Sequence, residues 1–209
     1  MSRTRVIALA ACAVALPAAA LAAPPQPTQV TIAVSSGKVT FGKQVVVSGT
    51  TAPNTGLTLR GDAFPFNGSF AQVAKTTSNA TGAYSFTVTP DSSTHYRVDA
   101  KKGKSATTSV LVRWKVTRAV STKHPKRGKR VLFSGTVSPA HVGGTVSIQR
   151  RSGGVYKTVK TTTLAASTAT SSAYSVRVRV RHNGRYRARV EGDGAHEAGN
   201  SRSVKLTVR

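Results

Sequence analysis

The sequence predicts an all-β fold of two tandem β-sandwiches, about seven strands each, after an N-terminal leader. Three observations carry that expectation. First, residues 42–53 read GKQVVVSGTTAP and residues 128–139 read GKRVLFSGTVSP, with Gly, Lys, Val, Ser, Gly, Thr and Pro in the same places. Self-similarity at a long period signals repeated structural units and outranks any local pattern. Second, apolar residues alternate at period two within short runs, as Val45 and Val47 or Val131 and Phe133 do. Gly, Pro, Asn and Ser close those runs, as turns close strands. Third, no stretch beyond the leader keeps a helical period of useful length.

Residues 1–22 read as a secretory signal peptide. Arg3 and Arg5 supply the positive start, residues 6–16 the apolar stretch, and Ala20-Leu21-Ala22 the small-x-small cleavage pattern. The apolar run is only about half of the roughly 20 residues that a membrane span needs. Leu9-Ala10-Ala11-Cys12 would suit lipid attachment, but the apolar run continues past Cys12. Cleavage near Ala22 removes the only cysteine. Each sandwich then has to stabilise itself by burial, without the disulfides common in small exported domains. Residues 23–29, with Pro24, Pro25 and Pro27, form an extended spacer.

Residues 30–113 are expected to form the first sandwich and residues 114–209 the second. First strands fall near 30–34 and 116–120. Leu57 and Leu59 then match Val146 and Ile148, and Phe70 and Val73 match Tyr156 and Val159, with Phe70 expected in the core. Tyr84-Ser85-Phe86-Thr87-Val88 matches Tyr174-Ser175-Val176-Arg177-Val178. Tyr96-Arg97 answers Tyr186-Arg187, and Val110 with Val112 answers Leu206 with Val208. Many short strands separated by regular turns are the pattern of a sandwich.

The succession V-x-x-S-G-T-x-x-P, G-x-Y-S-x-x-V and Y-R-V resembles the bacterial immunoglobulin-like repeats of secreted and cell-surface proteins. Residues 190–201, followed by Val204 to Val208, look like the final loop and strand of such a repeat. The first repeat departs there, since its loop at residues 99–103 is shorter. The resemblance implies the fold and an extracellular or cell-surface location. It does not imply one function, because such repeats serve in adhesion, spacing and as accessory partners of extracellular enzymes. It also implies that Tyr96 and Tyr186 close the corner before the sixth strand with their hydroxyls.

No catalytic constellation is legible, so no enzyme is expected. Beyond the leader the carboxylates are Asp62, Asp91, Asp99, Glu191, Asp193 and Glu197, and the five histidines stand singly. No nucleophile elbow, His-Glu-x-x-His or phosphate loop occurs, and no small-molecule cofactor or metal is expected. Glu191, Asp193 and Glu197 could be offered as calcium ligands. A glycine-rich turn in which Asp193 bonds its own backbone is the simpler account. One insertion in the first repeat, residues 61–70, carries Phe64 and Phe66 around Pro65, a candidate contact loop for another surface protein or a glycan. The alternative is a lid over the open end of the sandwich. Trp114 stands at the junction, where no Gly/Ser or Pro linker separates the repeats. It is expected either between the modules or at a core position of the first strand.

Charge is the other legible feature. Residues 24–113 hold nine Lys/Arg against three acids, and residues 114–209 hold twenty against three. Arg177, Arg179 and Arg181 alternate with valines, and Arg185, Arg187 and Arg189 with Tyr186, Ala188 and Val190. Period two places each trio on one outer sheet face. A hairpin would oppose the two trios at a cost, so they are expected on separate sheets, without acidic partners nearby in sequence. Lys126, Arg127, Lys129 and Arg130 add a basic turn. Solubility is one account of this charge. The other is a polyanion partner: a cell-wall polymer, an acidic polysaccharide, lipid headgroups or DNA. Aromatics are not interleaved with the arginines, which argues against base stacking. No transmembrane anchor is expected, so charge would be the means of staying on a surface.

Overall fold

The computed structural model describes residues 29–209. The leader and its cleavage site, and all but the last residue of the spacer, lie outside the described residues. Among the described residues there is no helix. None is therefore long and apolar enough to cross a membrane.

The repeated motif shows how these residues make these strands. Gly42 and Gly128 take φ of 79° and 78°, a left-handed conformation that favours glycine, at the turn that opens each copy. The strand that follows buries alternate residues, Val45 and Val47 in one copy and Val131 and Phe133 in the other. In the Ser-Gly-Thr that ends the motif, Gly49 and Gly135 lie against the Thr31 and Thr117 carbonyls. Tyr84 and Tyr174 donate their hydroxyls to those same carbonyls, the latter at 2.8 Å. A Cβ at either glycine would collide with both groups. The threonines pair across strands, Thr31 with Thr50 at 3.0 Å and Thr117 with Thr136 at 2.9 Å.

The first module runs β1 (Ala33–Val34), β2 (Lys38–Thr40), β3 (Val45–Thr50), β4 (Gly56–Ala63), β5 (Ala71–Thr77), β6 (Ala83–Val88), β7 (Thr94–Ala100), β8 (Gly103–Lys104) and β9 (Thr108–Arg113). One sheet has the order β1-β3-β6; the other is β2-β9-β7-β4-β5, with β8 also on β7. The second module runs β10 (Lys115–Val116), β11 (Ala119–Val120), β12 (Arg130–Ser138), β13 (Thr145–Ser152), β14 (Val155–Thr163), β15 (Ala165–Thr168), β16 (Ser171–Arg179), β17 (Gly184–Val190), β18 (Gly199–Asn200) and β19 (Val204–Leu206). Its sheets are β10-β12-β16-β15, with β11 on β12, and β14-β13-β17-β18, with β19 on β17.

The first strand of the first module changes sheets. β1 pairs antiparallel with β3, whereas β2 runs parallel to β9 in the other sheet. The chain after β11 does the same, bonding to the last strand through Thr207 N–H on the Lys123 carbonyl at 3.0 Å. Two separate clusters of buried residues result. One contains Val45, Val47, Leu57, Leu59, Phe86 and Val98; the other contains Phe133, Val146, Ile148, Leu164, Tyr186 and Leu206. Burying such a side chain contributes roughly 1.5–3 kcal/mol. These are two immunoglobulin-like β-sandwiches in tandem.

Two expectations need correction. Phe70 and Val73 on or beside β5, like Tyr156 and Val159 on β14, are not core residues. Both strands are sheet edges overhanging the sandwich; Val73 is 46% exposed and Val159 42%. Phe70 instead lies under the Arg97 guanidinium at 4.2 Å, and Tyr156 under Arg187 at 3.8 Å. The tyrosine corner holds for Tyr186, whose hydroxyl bonds the His182 carbonyl at 3.3 Å. Tyr96 is equally buried, but no bond from its hydroxyl to the preceding corner is seen among the described residues.

Candidate functional site

The loop between β17 and β18 closes the junction between the modules. Glu197 N–H donates to the Val112 carbonyl at 2.7 Å, and Trp114 N–H donates to the Glu197 carbonyl at 3.1 Å. Ser93 N–H donates to the Ala195 carbonyl at 2.8 Å, and Lys38 Nζ meets Glu197 Oε2 at 2.7 Å. Buried His196 places Nε2 2.9 Å from the Asp91 carbonyl. Trp114 belongs to the second core and caps its junction end, between His196 at 4.1 Å and His141 at 4.6 Å. Its indole N–H donates to the Glu191 carbonyl at 3.0 Å. The longer final loop of the second repeat is therefore a clasp on the first.

Phe64 and Phe66 belong to the same joint. Phe66 stacks on His95 at 4.1 Å, Phe64 meets Phe66 edge-on at 5.7 Å, and Phe64 lies over Gly194 of the clasp. The insertion thus reaches the second module. Phe64 keeps 42% exposure.

All three carboxylates of the second module sit in or beside that clasp, and each is engaged. Glu191 takes two bonds from Arg189, at 2.6 and 2.7 Å. Asp193 accepts the His196 N–H at 2.8 Å and Glu197 holds Lys38. Between Asp99 and Glu191 the chain has no Asp or Glu at all. Among the described residues no group of three His, Cys, Asp or Glu converges as metal ligands do.

The two modules differ most on one equivalent face. In the first, Arg60 opposes Arg97 across β4 and β7. Asp99 bridges the two, at 2.6 Å and 3.0 Å. A register irregularity follows Leu59 in β4 and recurs after Ile148 in β13. In the pairing of β13 with β17, Gln149 takes the place of Arg60, Arg187 that of Arg97 and Arg189 that of Asp99. The scaffold is shared and the carboxylate is gone.

The two arginine trios do lie on different sheets, since β16 and β17 belong to separate ones. Arg177, Arg179 and Arg181 are exposed, as are Arg185 and the turn cations Lys126, Arg127, Lys129 and Arg130. Arg187 and Arg189 are half-buried, which corrects the expectation of six free arginines. Arg187 donates to Gln149 Oε1 at 2.9 Å and stacks on Tyr156; burial lowers its pKa. Arg189 is paired with Glu191, whose carboxyl it holds below the usual range.

Three cations that the sequence did not single out, Arg150, Lys157 and Lys205, now join the site. Arg130 opposes Arg179, Arg150 opposes Lys157, and Arg185 opposes Lys205. Among the described residues none of the six has a carboxylate within ion-pair distance. All three pairs lie toward the end away from the clasp. Directly opposed like charges are destabilising. Among the described residues no carboxylate offsets them.

No known protein family matches this sequence, and no curated protein matches it. The chain is similar to several solved structures. A tetra-tandem repeat in the extending region of a large adhesion protein is 20% identical, with a TM-score of 0.36, over 85% of this chain and 49% of that one. The alpha-2-macroglobulin of E. coli is 9% identical with a TM-score of 0.37, over 88% of this chain and 17% of that one. A Salmonella alpha-2-macroglobulin mutant is 11% identical with a TM-score of 0.38, over 89% and 17% respectively. The chain thus spans half or less of each.

Proposed function

We propose that this is a secreted, non-enzymatic binding and spacer protein whose second sandwich holds an anionic polymer by charge. The observation that carries the proposal is three directly opposed cation pairs in the second module, Arg130–Arg179, Arg150–Lys157 and Arg185–Lys205, which no carboxylate bridges among the described residues. In the first module, by contrast, Asp99 bridges the opposed Arg60 and Arg97. Solubility needs net charge, but it does not need opposed like charges left unbridged. An anionic partner relieves that repulsion and releases condensed counterions as it binds. The clasp supports a spacer role, because it ties the two modules together through backbone bonds rather than through a flexible linker.

A salt titration of the full chain against poly(glycerol phosphate) and against neutral dextran tests this. If four to six phosphates are engaged, affinity for the anionic polymer should fall roughly two to three orders of magnitude between 50 and 200 mM salt. Binding that is absent at low salt, or equal for the neutral polymer, refutes it.

A further inference from the structure

We infer that the second module carries a defined basic track for a single-chain phosphodiester polymer, an inference that rests on the proposed polyanion role and gives it a place and a ligand class. Where β14 overhangs β16, a groove of about 610 Å³ is lined by Arg130, Lys160, Arg177 and Arg179, with Val159, Val176 and Val178 between them. At the tip of the module a second hollow of about 390 Å³ contains Arg127 and Arg181. The two are continuous along the chain, since Arg127 and Arg130 share one turn and Arg179 and Arg181 lie at one strand end. Backbone bonds between Gly128 and Val180 (2.8 Å) and between Val180 and Lys129 (3.0 Å) lock the turn to that strand end. No carboxylate side chain lines either hollow.

The spacing of the cations selects the ligand. Arg177 and Arg179 are two residues apart on one strand, so they stand about 6.6 Å apart along it. Three backbone bonds of extended chain span about 3.5 Å, so a polymer with six bonds per repeat places one phosphate every ~7 Å. Glycerol phosphate polymers have such a repeat, as does the sugar-phosphate backbone of a single nucleic-acid strand. The spacing therefore selects a single-chain phosphodiester, and the groove's apolar content must choose between them. Duplex DNA, with a charge every ~1.7 Å of its axis, does not match it. Opposed Arg130 and Arg179 present two guanidinium groups to one phosphate, whose two free oxygens can each accept a fork. The groove has no Phe, Tyr or Trp, and the exposed apolar side chain beside the cations is Val159, since Val176 and Val178 turn toward the core. It suits an aliphatic backbone and offers no platform for stacking bases.

The test uses the full two-module chain and two variants that each remove three exposed cations. One is Arg130→Ser, Arg177→Ser and Arg179→Ser in the track. The other is Lys43→Ser, Lys115→Ser and Arg202→Ser, off it. All six positions are exposed, and each variant's melting temperature is measured alongside binding. For poly(glycerol phosphate), the track variant should lose about a hundredfold in affinity at 100 mM salt and about two units of salt slope. The other variant, acting only through the screened field, should stay within about threefold of the parent. Equal losses in the two variants overturn the track while leaving the polyanion role standing; a parent chain that binds no anionic polymer overturns both. Tighter binding, per charge, of oligothymidylate, duplex DNA or hyaluronate than of poly(glycerol phosphate) overturns the ligand class.

Discussion

Gly135 has no room for a side chain. A Cβ there would strike the Thr117 carbonyl and the Tyr174 hydroxyl that bonds it. Alanine at Gly135 or Gly49 should cost about 1–3 kcal/mol through overpacking, read from the denaturant midpoint. Tyr174→Phe should cost less, about 0.5–1.5 kcal/mol, for one hydroxyl bond. The same tyrosines set an alkaline limit. Burial pushes Tyr84 up to about 12 and raises Tyr96, Tyr174 and Tyr186 above the ordinary phenol value of 10.0. In the unfolded chain these phenols lose their protons near pH 10, while the folded chain still holds them. Stability is therefore fully present below pH 10 and is lost as pH rises from 10 toward 12. A pH series of chemical unfolding should show that decline, and Tyr84→Phe should flatten it.

At the level of elements, edge strands and loops behave unlike the core strands. β5 and β14 keep the alternating pattern of their neighbours but have a partner on one side only, so alternation no longer reports burial. That is why Phe70 reads as core yet lies, like its match Tyr156, on the outside beneath an arginine. We propose that the modules divide between Arg113 and Trp114. The neighbours of Trp114, namely His141, His196, Gly199 and the Glu191 carbonyl, all belong to the second module. Residues 114–209 expressed alone should fold with Trp114 still shielded from quencher; an unfolded fragment at moderate salt would refute the boundary. Phe64→Ala should leave both cores intact and loosen the joint, seen as reduced agreement between residual dipolar couplings of the two modules. Unchanged alignment would mean that the clasp's backbone bonds suffice.

Across the whole molecule, charge is segregated along the chain. The clasp gathers every carboxylate of the second module at the junction. The opposed pairs Arg130–Arg179, Arg150–Lys157 and Arg185–Lys205 lie toward the other end. Salt should therefore stabilise the second module by screening that repulsion. Raising sodium chloride from 20 to 500 mM should lift its melting temperature by several degrees, since about 1 kcal/mol shifts a domain of this size by roughly 4–8 °C. A melting temperature independent of salt would mean that the opposed cations turn away from each other into water.

The amino-acid sequence alone determined the repeat, the strand content and the inward residues of the central strands. Each of those follows from short-range rules: glycine where φ is positive, a turn residue at each strand end, and an apolar residue at every second position of a strand packed on one face. It also determined that the second repeat is the basic one. Which cations oppose each other was decided only by tertiary structure. Arg130 and Arg179 are far apart in sequence, and their meeting depends on the register of β12 against β16. The same holds for Glu197, which reaches Lys38 across most of the chain, and for Phe64 over Gly194. Coulomb energy depends on separation in space, and separation along the chain does not report it. Charge can therefore be counted in the sequence, but the groove that concentrates it exists only once the two sheets have packed.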